Sequence, residues 1–138
     1  MTAPAGLVGI VVVSHSARVA EGVVELAAQM AGPDVALIAV GGAADGSLGT
    51  DADRISSAIT TADTGAGVVV LGDLGSAILA SEAAIDGLGA AAARVRVSSG
   101  PLVEGAVVAA VQASIGQTVD EVLAAADGAR DLDKGVTR

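Results

Sequence analysis

Apolar residues without polar alternation recur in short runs along the chain, and between those runs the apolar positions repeat at the spacing of a helix. The runs Leu7 to Val13, Val35 to Val40 and Val68 to Leu71 are rich in β-branched residues, the pattern of strands covered on both faces in a parallel sheet. Arg94 to Val97 alternates charged and apolar residues, which predicts an edge strand. Val19, Val23, Leu26, Ala27 and Met30 fall on one helical stripe, Ile55, Ala58, Ile59 and Ala62 on a second, and Ile78, Ile85 and Leu88 on a third; each is expected to face the sheet. Val103, Val107, Val108 and Val111 make a further stripe after Pro101. Thr50 with Asp53 resembles a capping box and Thr118 with Glu121 a fuller one, so helices are expected to open at Asp51 and at Val119. The order β-α-β-α-β-α-β-α-α predicts an α/β fold: a doubly wound, four-stranded, mainly parallel sheet, order 2-1-3-4, with helices on both faces.

The chain of 138 residues is long enough for one such domain and too short for two ordinary ones. Residues 1–126 are read as that domain. From Asp127 to Arg138 the apolar period stops and charges take over, which predicts a polar tail with little structure. Apolar types supply 52% of the residues and aromatic types none, so the core must be built from Val, Leu, Ile and Ala. A methyl-only core in so small a domain points toward an oligomer.

Charge and composition remove several classes of function. Sixteen acidic residues against seven basic give a formal charge of −9, which repels a nucleic-acid backbone or an anionic bilayer. Without cysteine there is no disulfide and no thiolate chemistry, and one histidine leaves a structural zinc site short of ligands. The run from Leu7 to Val13 is too short to span a membrane and lacks the basic flank of a secretory signal. A cytoplasmic enzyme or carrier is the expectation.

In an open parallel sheet, ligands bind beyond the carboxyl ends of the strands. There the sequence places Ser14-His15-Ser16, then the Gly-rich stretch Gly41 to Thr50, then Gly72-Asp73-Leu74-Gly75-Ser76, then Ser98 to Gly105. His15 is the only imidazole, flanked by two hydroxyls and followed by a helix whose start would favour a bound phosphate. The competing reading is a polar residue capping a turn. With strand order 2-1-3-4, Asp73 would stand beside His15, where a carboxylate bonded to one ring nitrogen leaves the other unprotonated and nucleophilic; the plainer reading, compatible with the first, is that Asp73 caps the helix that starts near Gly75. The Gly-rich loop lacks the lysine of a P-loop and the G-x-G-x-x-G pattern, so it reads as a wall of the site. Asp45, Asp51 and Asp53 suggest Mg²⁺, but Asp51 and Asp53 would point different ways at a helix start and read better as favourable N-terminal charge.

As a set, these loops resemble a known family. Val-Val-Ser-His-Ser followed by Val-Ala-Glu-Gly-Val, then Val-Gly-Gly with Asp-Gly and Gly-Thr, then Leu-Gly-Asp-Leu-Gly-Ser-Ala, then Pro-Leu-Val-Glu-Gly-Ala are similar to the DhaM phosphotransferase subunits of PEP-dependent dihydroxyacetone kinase, and more broadly to mannose-type enzyme IIA domains. The likeness spans Leu7 to about Leu123. In the mannose-type domains the strand-three loop usually reads Asp-Thr-x-Gly-Gly-Ser-Pro, whereas here it is Asp73-Leu74-Gly75-Ser76-Ala77.

The resemblance implies a homodimeric phosphotransferase in glycerol metabolism. Phosphate would pass from the phosphocarrier HPr to this histidine, then to Mg-ADP held on a DhaL subunit, while DhaK holds dihydroxyacetone. No cofactor or metal is implied on this subunit itself. By position, His15 is the phosphorylated residue and Asp73 orients it. Ser14, Ser16, Arg18, Gly42, Thr50, Gly75 and Ser76 are the candidates for binding phosphate or partner, Arg18 as the local basic group beside His15. A mannose-type sugar IIA domain, a regulatory phosphate-dependent binding module and a plain nucleotide-binding domain are the rival readings.

Overall fold

The three β-branched runs become strands that each end one residue nearer the following loop than the apolar pattern alone suggests. The structure, a computed structural model, describes residues 6–137. β1 (Gly9–Ser14), β2 (Leu37–Gly41), β3 (Val68–Gly72) and β4 (Val95–Val97) form a parallel sheet in the order β2-β1-β3-β4. This is the expected order, with β4 at an edge. Ser14 pairs with Gly41 and Val13 with Gly72, so His15, Gly42 and Asp73 leave the sheet together at its carboxyl end.

The connections are helices α1 (Ala17–Ala31), α2 (Ala52–Ala62) and α3 (Gly75–Asp86), followed after β4 by α4 (Leu102–Ser114) and α5 (Val119–Gly128). α1, α4 and α5 cover one face of the sheet, closing over Ile10, Val12, Val69 and Leu71. α2 and α3 cover the other, over Val11, Val13, Val68 and Val70. Full burial of Ile10, Ile55, Ile59 and Leu71 stabilises the fold by roughly 1.5–3 kcal/mol for each side chain.

Several stripes rotate relative to the sequence reading. In α1 the buried residues are Ala20, Val23 and Ala27, whereas Val19, Leu26 and Met30 are exposed. In α3 the inward residues are Ala77, Ser81 and Ala84; Ile85 and Leu88 pack at the margin of that core. In α4, Gly105, Ala106, Ala109, Ala110 and Ala113 face inward, while Val107, Val108 and Val111 are only half-buried and Val103 is exposed. The physical reason is separation. A Cβ added at Gly105 would stand 2.6 Å from Leu71 Cδ2, so this helix approaches the sheet too closely for a valine to point inward.

Two boundaries also differ. α2 is capped by Asp51 rather than Thr50: its carboxylate accepts from the Asp53 and Arg54 amides, two bonds where a threonine hydroxyl supplies one. The Thr118–Glu121 capping box forms as expected. The chain from Asp127 is not yet a tail, because α5 runs to Gly128 and a 3-10 turn follows over Ala129–Asp131, with Ala129 buried. The segment without regular structure begins at Leu132. Residues 1–5 and 138 of the two predicted segments lie outside the described residues.

Gly41 closes β2 where α1 begins, and a Cβ there would lie 2.5 Å from both Ala17 Cα and Ser16 O. Because those atoms are backbone, relief requires α1 to move. Gly41→Ala is therefore expected to destabilise the protein by about 1–3 kcal/mol, read as a lower urea midpoint at unchanged slope.

Candidate active site

β1 ends in a buried serine, and the turn that follows brings His15 against the end of β3. Nδ1 of His15 lies 2.9 Å from Asp73 Oδ1. The same carboxylate accepts from the His15 amide at 3.0 Å, the Ser14 hydroxyl at 2.8 Å and the Leu74 amide at 2.8 Å. Ser14 Oγ in turn accepts from the Ser16 amide at 3.0 Å. Ring and carboxylate are partly open, with side chains 25% and 20% exposed.

Burial pushes the Asp73 carboxyl up, but the bonds from the His15 amide, the His15 ring, the Ser14 hydroxyl and the Leu74 amide outweigh it and hold the group below its ordinary 3.8. Asp73 is thus ionised at neutral pH. An ionised carboxylate only accepts, so in the neutral imidazole Nδ1 carries the ring hydrogen and Nε2 presents its lone pair. The Ser76 hydroxyl sits against Nε2 and is the donor in that contact.

Nε2 therefore faces the start of α3. The cap residue there is Leu74, which supplies no side-chain acceptor, and the amides of Gly75 and Ser76 have no acceptor among the described residues. These amides and the Ser76 hydroxyl form a small cluster of donors at the positive end of a helix, suited to anionic oxygens. Asp73 does not cap α3, since its oxygens are taken by Ser14, His15 and Leu74. The start of α1 is closed by its own cap, Ser16 Oγ accepting from the Val19 amide.

The other candidates divide into open and framework positions. Ser14 is buried and spends its hydroxyl on Asp73 and Ser16, so it holds the site together and does not reach a ligand. Gly42, at φ +76°, donates its amide to the Ser14 carbonyl and likewise belongs to the frame. Thr50 is half-buried and follows Gly49, whose amide donates to the His15 carbonyl at 3.0 Å. Arg18 is exposed in the first turn of α1. Arg94, Arg96 and Lys134 are paired with Asp63, Asp120 and Glu104, and Arg54 and Arg130 donate to backbone carbonyls, which leaves Arg18 the one basic residue without a polar partner among the described residues. Asp45 binds Ser47 and Asp51 caps α2; among the described residues no group of three or more such side chains is placed to hold a metal.

A family model, EIIA-man (PTS system fructose IIA component), matches residues 9–123, a span that begins with β1 and ends inside α5. The chain belongs to the EIIA-man family. Within it, the chain is similar to the phosphoryl donor subunit DhaM of the PEP-dependent dihydroxyacetone kinase of Klebsiella michiganensis, 41% identical over 121 residues, which are 85% of this chain and 26% of that protein. DhaM of Escherichia coli is also 41% identical over 121 residues, with the same shares. DhaM of PEP-dependent dihydroxyacetone kinase 2 of Listeria innocua is 37% identical over 118 residues, 85% of this chain and 94% of that protein. The chain thus spans about a quarter of the first two relatives and nearly all of the third. Among solved structures, a protein of unknown function, EF1359, superposes with a TM-score of 0.83 at 35% identity, covering 95% of this chain and 99% of that one.

Two features of this EIIA-man fold escape sequence reasoning. Arg54 directs Nη1 at the carbonyls of Gly41, Gly42 and Ala43, at 3.2, 3.0 and 3.4 Å; nothing in its local sequence marks it. Asp127, in the segment expected to be a tail, accepts from the Ser98 hydroxyl at 2.6 Å and the Ser99 amide at 3.0 Å, while Ser98 Oγ accepts from the Gly100 amide. Ser99 Oγ then meets Arg130 at 2.6 Å. No helix among the described residues is long and apolar enough to cross a membrane.

Proposed function

We propose that this protein is a phosphohistidine carrier, the phosphoryl donor subunit of a PEP-dependent dihydroxyacetone kinase, with Nε2 of His15 as the atom that holds the phosphoryl group. The observation that carries this reading is the bond of Nδ1 to an ionised Asp73, which leaves Nε2 unprotonated and directed at the donors of α3. Nε2 attacks the phosphorus of a phosphorylated histidine on an HPr-type carrier. The P–N bond to that donor breaks as the new one forms, and the donor imidazole takes back its electron pair. As Ser76 gives way from Nε2, its hydroxyl and the Gly75 and Ser76 amides become available to the phosphoryl oxygens. Such a transfer needs chiefly positioning and charge stabilisation.

In the second half, the P–N bond breaks and a β-phosphate oxygen of ADP on a DhaL-type subunit takes the group. Mg-ADP belongs to that acceptor, and the carrier itself needs only its own residues. Arg18 supplies positive charge at the docking edge of an otherwise acidic protein. We read the working unit as a cytoplasmic homodimer.

Radiolabelled phosphoprotein, mixed separately with an ADP-loaded DhaL-type subunit and with a mannose-type IIB domain, is expected to pass its label to nucleotide in the first mixture and to retain it in the second. Label passing only to the IIB domain would replace this reading with that of a sugar-transport IIA domain.

A further inference from the structure

Arg54 is exposed and outside the cluster around His15, yet it holds an irregular stretch of backbone beside that cluster. The carbonyls of three successive residues, Gly41, Gly42 and Ala43, turn toward one guanidinium nitrogen. In an extended strand successive carbonyls alternate in direction, so gathering three on one side opposes their dipoles and calls for a cation at the focus. The turn that achieves it runs through Gly42 at φ +76°, where a Cβ would also stand 3.0 Å from Ser47 O.

That backbone reaches the catalytic turn at two points. The Gly42 amide donates to the Ser14 carbonyl at 3.2 Å, and at the far end of the loop the Gly49 amide donates to the His15 carbonyl at 3.0 Å. Between them the loop is closed on itself by Ala43 N–H to Ser47 O and Gly46 N–H to Ala43 O. The two outer bonds fix the carbonyls on either side of the His15 amide, which is itself bonded to Asp73. Arg54 in turn is set by the helix cap, its own amide donating to Asp51.

We infer that Arg54 is a positioning residue for phosphoryl transfer: it holds the Gly41–Ala43 backbone in the arrangement that sets the His15 main chain, and so the aim of Nε2, without touching the phosphoryl group. The inference rests on the phosphocarrier reading, and its test separates the two.

Uptake of label from a phosphorylated HPr-type donor is followed for the wild-type protein, Arg54→Met and Arg54→Lys, as a function of donor concentration. Arg54→Met is expected to lose about tenfold to a hundredfold in maximal rate, the scale of a misaimed nucleophile, with half-saturation by donor unchanged. Arg54→Lys, which keeps a cationic donor, should recover most of that loss. In the same variants, hydrogen exchange of the Gly42 and Gly49 amides should quicken with Met and not with Lys, and the His15 ring resonances should move with the rate. Should Arg54→Met fail to fold, Arg54→Ala, which likewise removes the donor, carries the same comparison. Equal maximal rates in wild type and variant overturn the inference, as does a loss confined to half-saturation, which would make Arg54 a donor-docking residue. A wild-type protein that takes up no label overturns the carrier reading instead.

Discussion

His15→Ala is expected to abolish phosphate uptake while leaving the fold in place. The chain contains no other imidazole, so no second side chain can form a phosphoimidazole. The fold depends little on the ring. Its side chain is 25% exposed, and Asp73 keeps three of its four donors, since the residue 15 amide survives the substitution beside the Ser14 hydroxyl and the Leu74 amide. One charge-assisted bond is lost, a cost of about 1.5–3 kcal/mol at most. Mass spectrometry of the protein after incubation with phosphorylated donor, alongside a thermal melt, checks both halves. Labelling at wild-type level would end the assignment of His15.

Asp73→Asn should be nearly as damaging to the chemistry, and by a different route. An asparagine in this place can turn an N–H toward Nδ1, which then accepts and leaves the hydrogen on Nε2. The nucleophilic lone pair is lost although every atom remains close to its place. A carboxylate-to-amide change of this kind beside a catalytic histidine costs on the order of 10⁴-fold, and a fall of at least about 10³-fold in phosphorylation rate is expected here. The variant should also respond differently to acid. Asp73 titrates below its ordinary value when folded, so its stabilising contribution is complete above the unfolded-state value of about 3.9 and is lost as pH falls through the lower folded value. Asp73→Asn should be less stable than wild type at neutral pH, with the difference narrowing below about pH 4. Denaturant midpoints at pH 3 and pH 7 test this; a constant difference would mean that Asp73 is not held ionised by its donors.

The sheet and the His15–Asp73 pairing were legible because they depend on features that a sequence displays openly. Unalternated valine runs mark buried parallel strands, and once β1 and β3 are neighbours the residues ending them must meet. The inward faces of α1 and α4 were not legible by the same logic. Apolar periodicity favours the larger side chain, whereas at Ala20, Ala27, Ala106, Ala109 and Ala113 the short distance to the sheet selects the smaller one. Thr50 and Asp51 both have capping chemistry, and only the geometry of the turn decides for the carboxylate. Arg54 and Asp127 lie hidden for a further reason. Their partners are backbone carbonyls and amides or a distant serine, groups that every sequence contains and none advertises.

The bonds that end β1 recur at the end of β4. Ser14 and Ser98 both give their hydroxyl to a carboxylate from elsewhere in the chain, the next residue's amide joins the same carboxylate, and the amide after that returns to the serine. The middle side chain differs, imidazole in one knot and hydroxymethyl in the other, as does the third residue, Ser16 against Gly100. The knot thus finishes two of the four strands, and at β4 it stands without an imidazole at its centre. In the proposed carrier, reactivity is added at a single position of a motif that also stands without it, and so the fold should tolerate losing the imidazole far better than losing either carboxylate.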